Sequence, residues 1–110
     1  MTEIALGYTS CTLEPLKLDG LDNVMMLSNL YTSKLHRKQG NAKQLLKHIC
    51  AKSDTENFAV LLEPKSDDVE QSDLIKMYAS HGFEELQKEP LLLARYPQPI
   101  TNLNKKLRLI

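Results

Sequence analysis

Two short stretches carry residues that could do chemistry. Arg37-Lys38-Gln39-Gly40-Asn41-Ala42 sets two cations and a glycine immediately before an amphipathic run. Tyr78-Ala79-Ser80-His81-Gly82-Phe83 sets a tyrosine one turn before a glycine. The first suits an anion, because a helix start offers unpaired N–H groups and the positive end of the helix dipole. Small residues at Gly40 and Ala42 let those amides approach a diphosphate, and Arg37 and Lys38 raise the potential around them. The second suits a proton donor: a phenol pointing to the mouth of a sheet can protonate a departing thiolate.

Charge along the chain is segregated in keeping with this. Between Asn23 and Ser53 there is no Asp or Glu, whereas Lys34, Arg37, Lys38, Lys43, Lys47 and Lys52 all fall there. Between Asp54 and Asp73 the sign reverses, with seven carboxylates facing Lys65 alone. One segment is prepared for an anion and the next for a cation. Of the acidic residues, Glu63, Asp67 and Asp68 read as helix-start charges or as attraction for an amine, with Glu63 the candidate general base, directly or through water.

The elements that must position these groups follow from periodicity. EIALGYTS at 3–10 and CTLEPLKL at 11–18 read as two strands of a hairpin with an edge or bulge at Pro15, and LDGLDN at 18–23 as a turn. VMMLSNLYTS at 24–33 reads as a buried strand whose apolar residues do not alternate cleanly. Ala42, Leu45, Leu46, Ile49 and Cys50 recur at helical spacing, with Asn41 as N-cap, Lys47, His48 and Lys52 towards the C-terminal end, and KSDTEN as the break. FAVLLEP at 58–64 is a central strand. A second helix lies within 66–83, with Asp67, Asp68 and Glu70 at its start, Leu74, Met77, Tyr78 and His81 on one face and Gly82 at its end. Strands near 83–86 and at 91–96 follow. The order predicts one α/β (α+β) domain, a mixed sheet with helices on its faces.

Composition narrows the function classes. A chain of 110 residues with 42% hydrophobic and 25% charged residues makes one globular domain. No apolar run approaches the roughly 20 residues of a membrane span, so no membrane association is expected. Zero net charge and few aromatic residues argue against nucleic acid as a partner. Cys11 and Cys50 lack metal-type spacing and read as reduced thiols of a cytoplasmic protein, and no metal site is expected.

Strand, R-x-x-G-x-A, helix, apolar strand, helix, Y-x-x-x-G-F, strand, in this order and spacing, resembles the GNAT superfamily of acetyl-CoA-dependent N-acetyltransferases. The match runs from about Ile4 to Tyr96, and best from Leu27 to Phe83. The resemblance implies acetyl-CoA as co-substrate and direct transfer of its acetyl group to a primary amine of a small molecule or peptide. Carried onto this chain, it gives Lys38, Gln39, Gly40, Asn41 and Ala42 as amide donors to the coenzyme diphosphate and Arg37 as supporting charge. Leu30, Tyr31 and Thr32 become the strand end that pairs with the pantetheine arm, and Tyr78 the catalytic acid. Residues 1–96 form the coenzyme-binding domain and 97–110 a tail, either an edge strand or a dimer contact.

The departures from the family are specific. Lys38 and Asn41 stand where glycine or an apolar residue is common, and Ser66 to Asp68 where many members carry an asparagine. No carboxylate lies in the 24–33 strand. The first strand and first two helices of the family, which shape the acceptor pocket, are largely missing before the signature strand. A homodimer completing the pocket is therefore expected. The alternative function is a non-catalytic GNAT-derived binding or regulatory module that keeps the fold.

Overall fold

The computed structural model describes residues 2–17, 23–37, 39–65 and 69–98. Six strands form one sheet: β1 (Thr2–Leu6), β2 (Thr9–Pro15), β3 (Val24–Thr32), β4 (Ala59–Leu62), β5 (Glu84–Lys88) and β6 (Leu91–Arg95), in the spatial order β1-β2-β3-β4-β6-β5. Every pairing is antiparallel except β3 with β4, which α1 (Asn41–Glu56) connects as a parallel crossover. The second helix, α2 (Gln71–Ala79), links β4 to β5, and β6 then turns back to sit between them.

The β1–β2 hairpin turns at Gly7 and Tyr8, not near residue 10 as the sequence reading placed it. Leu6 pairs with Thr9 across a two-residue connection whose first residue, Gly7, has φ +61°. A glycine inside an apparent strand was the turn itself. Of the 18–23 turn, Asn23 alone falls among the described residues; it is left-handed at φ 58°.

The irregular alternation of β3 has a local cause. Its register with β2 slips between Ser10 and Thr12, so β3 carries one extra residue there, and Asn29 takes φ +54°. This bulge puts Leu27 and Leu30, three positions apart, on the same side, both packed with the helix core.

Helix α1 buries Leu45, Leu46, Ile49, Cys50 and Ser53. The expected break at KSDTEN does not occur, and the helix continues to Glu56. Ser53 prolongs the apolar stripe while its hydroxyl donates to the Phe58 carbonyl at 2.5 Å, and Lys52 pairs with Glu56 one turn on at 2.6 Å. Asn57 ends the helix in the left-handed conformation, with the Phe58 N–H returning to the Ser53 carbonyl. The last turn therefore holds no basic residue, and Lys47, His48 and Lys52 precede it. In α2 the first-turn acid is Asp73, and Glu70 is the N-cap; Asp67 and Asp68 lie outside the described residues. His81 falls past the helix end instead of on its face.

Leu74 and Tyr78 of α2 join the buried residues of α1 in one core with Cys11, Leu13, Leu27, Val60, Leu62, Phe83 and Leu93. Strand residues of opposite parity, Val24, Leu61 and Ala94, make a second, smaller cluster with Leu16, Met26 and Ala59, to which neither helix contributes. A large-to-small change in the main core, such as Leu46 or Ile49 to alanine, costs about 2–5 kcal/mol.

Candidate coenzyme cleft

β3 and β4 pair only over Val24–Met26 and Ala59–Leu61. β4 then ends at Leu62 while β3 runs on to Thr32, so the edge of β3 beyond Met26 has no strand beside it. Of its N–H and C=O groups, which demand partners, the Thr32 carbonyl accepts from Arg37, and the edge borders open space. That space is a cleft of about 640 Å3, within the range of small-molecule and cofactor sites.

The cleft gathers most of the residues singled out in the sequence: Leu30, Tyr31, Thr32, Arg37, Gly40, Asn41, Ala42 and Tyr78 all line it. Gln39 does not; its side chain reaches towards the Leu35 carbonyl at 3.5 Å. Lys38 lies outside the described residues. Met26, Ser28 and the bulged Asn29 complete the strand wall, with Lys43 on α1 and Glu63, Asp73 and Met77 on the far side. The bulge was the residue set least visible beforehand; the failed alternation of β3 was its signal.

The start of α1 differs from the expected one. Gly40, not Asn41, is the N-cap, at φ 84°, and no side chain caps the helix. Asn41 is turned away, its Nδ2 donating to the His36 carbonyl at 2.8 Å. The first turn carries no acidic residue, and a Cβ at Gly40 would meet nothing within 4 Å. Among the described residues, then, no side chain caps the amides at the head of this 16-residue helix.

The loop before them is braced. A 3-10 turn at Lys34–His36 follows β3, the Ser33 N–H bonds the Tyr8 carbonyl, and the Thr9 and Thr32 hydroxyls meet at 2.8 Å. Arg37 donates from Nε to the Thr32 carbonyl at 2.9 Å and sits 5.3 Å over the Tyr31 ring. His36 stacks on Tyr8 with ring centroids 3.4 Å apart, and its buried Nδ1 has no hydrogen-bond partner. Arg37 therefore acts first as a tie between loop and strand end.

Tyr78 is 3% exposed, packed edge-on against Phe83 at 5.5 Å. Its hydroxyl makes no hydrogen bond to any described residue. Burial, with a smaller contribution from the neighbouring Cys11 thiol, pushes its pKa up to about 12, so it holds its proton at neutral pH. Glu63, at the end of β4, pairs with Lys65 at 2.9 Å. Cys11 and Cys50 are buried free thiols, both pushed up by burial. Among the described residues no group of three metal-ligating side chains occurs, and no helix is long and apolar enough to cross a membrane.

No protein-family model matches the sequence, and no curated protein matches it. Solved structures do. The anti-CRISPR protein AcrVA5 aligns with a TM-score of 0.66 at 18% identity, over 84% of this chain and 95% of its own. The S18-alanine N-acetyltransferase of Escherichia coli, which acts on a ribosomal protein, aligns at 0.63 and 17% identity, over 86% of this chain and 65% of its own. The GNAT-family enzyme YhbS of Escherichia coli, solved with CoA, aligns at 0.61 and 17% identity, over 81% of this chain and 51% of its own. The chain thus spans between half and two thirds of the length of these two acetyltransferases. This six-stranded mixed sheet with two helices has the fold of the GNAT-family N-acetyltransferases.

Proposed function

We propose that the chain binds acetyl-CoA and transfers its acetyl group to a primary amine. One observation carries this reading: the head of α1, the edge of β3 beyond its pairing with β4, and Tyr78 all line one cleft. The backbone at Gln39, Gly40, Asn41 and Ala42 takes the diphosphate, with Arg37 and Lys43 supplying positive potential. Leu30, Tyr31 and Thr32 align the pantetheine arm as an added strand would, which holds the thioester in place for attack. Glu63 accepts the proton that the ammonium must lose, and Tyr78 gives one to the departing sulfur. The CoA complex of the YhbS neighbour and the ribosomal-protein alanine named for the other enzyme support both halves of this reading. A second copy of the chain completes the acceptor wall; a single monomeric species in sedimentation would remove that part.

The test is calorimetry and thermal shift with acetyl-CoA, followed by thiol release over a panel of amines. Binding with release is expected, and no heat at any workable concentration would refute the reading. Tyr78→Phe is expected to lower kcat about tenfold or more while coenzyme affinity stays within about twofold. The second reading is a binding module that keeps the fold without turnover. Stabilisation without thiol release across the panel would select it.

A further inference from the structure

The two helices bordering the cleft are joined by one buried guanidinium that the sequence did not single out. Arg95, at the end of β6 and 5% exposed, donates from its two Nη atoms to the Asp54 carboxylate at 2.9 and 3.1 Å. Nη1 also reaches Ser53 Oγ at 3.2 Å, and Nε donates to the His81 carbonyl at 2.8 Å. Ser53 and Asp54 belong to the last turns of α1, while His81 lies just past α2. The guanidinium passes over Gly82, where a Cβ would stand 3.3 Å from Nε.

The amide of the same residue bonds back to the end of α2. The Tyr78 carbonyl accepts the His81 N–H at 2.9 Å and the Phe83 N–H at 3.2 Å. Arg95 thus holds the carbonyl of the residue whose amide holds Tyr78. Stability alone does not explain such an arrangement, since apolar replacements of a buried ion pair often do as well. What an apolar side chain lacks is direction, which the rigid fork of a guanidinium supplies.

We propose that Arg95 is a positioning residue for Tyr78: braced by Asp54 on α1, it fixes the turn after α2 and so sets where the Tyr78 hydroxyl stands in the cleft. The catalytic consequence rests on the acetyltransferase reading; the positional one does not.

The test compares the parent chain with Arg95→Lys, which keeps the charge and loses the fork, each with and without Tyr78→Phe. With 13C-labelled tyrosines, Arg95→Lys is expected to move the Tyr78 ring signals while leaving those of Tyr8 and Tyr31 in place. With an amine that supports thiol release, kcat is expected to fall about tenfold at nearly constant KM for acetyl-CoA. In the Tyr78→Phe background the same change is expected to cost less than about twofold, because the group it positions is gone. Unmoved Tyr78 signals in a folded Arg95→Lys protein, or kcat losses that simply multiply, would overturn the proposal. Should Arg95→Lys not fold, Asp54→Asn removes the brace and is read in the same way. A parent chain that releases no thiol refutes the transferase reading, and the ring signals still decide the role of Arg95.

Discussion

The two ends of α1 are built on opposite principles. At the amino end Gly40 contributes no side chain, no acid neutralises the dipole, and Asn41 bonds backwards to His36. At the carboxyl end several devices meet: left-handed Asn57, the Ser53–Phe58 bonds, the Arg95 fork on Asp54 and the Gln98 backbone amide donating to Asp54 at 2.7 Å. An N-cap side chain is worth about 1 kcal/mol over alanine, and α1 starts without one where it borders the cleft. The difference separates an end that stabilises the molecule from an end that keeps its hydrogen-bonding capacity for something else.

That contrast can be broken at either end. The largest effect is expected from Arg95→Ala, which strands Asp54 and leaves the His81 carbonyl without its donor. We expect a loss of about 3 kcal/mol or more in denaturant unfolding. Ala42→Asp should do the reverse at the other end. A carboxylate in the first turn favours the dipole by about 0.3–1 kcal/mol, raising Tm, yet repels a diphosphate and should weaken acetyl-CoA binding about tenfold by calorimetry. A Tm gain without loss of binding would show that the open amides are not where the anion sits.

Acid acts on the closed end through Asp54. Burial would raise the Asp54 carboxyl, but the Arg95 hydrogen bonds, the Gln98 amide and the Arg95 charge outweigh it and hold it below 3.8. A group depressed in the folded state stabilises above its unfolded value, and that stability is lost as pH falls through the folded one. Tm should therefore drop below about pH 4 in the parent and drop less in Asp54→Asn. The smallest effect belongs to the exposed Lys52–Glu56 pair, where Lys52→Ala should cost about 0.5 kcal/mol or less.

Legibility in the sequence follows the same division. The amino end of α1 and Tyr78 were visible because local spacing defines them, and eight of the marked residues line one cleft. The carboxyl end was not. Lys52 to Asn57 is polar throughout, and nothing local says that Ser53 is buried and bonded to Phe58. Arg95 reads as an exposed strand residue until the fold brings Asp54, 41 positions earlier, beside it. Gly7 was read as strand because its neighbours are apolar, although its turn needs only two residues. The β3 bulge left a trace in the failed alternation, but a trace that periodicity alone cannot resolve into a place.

The short contact between β3 and β4 has a mechanical meaning. Three residue pairs weld β1-β2-β3 to β4-β6-β5, and beyond them the two halves of the sheet stand apart. A molecule lodged in that gap touches both halves at once and becomes mortar between them, so its binding energy adds to the cohesion of the whole fold.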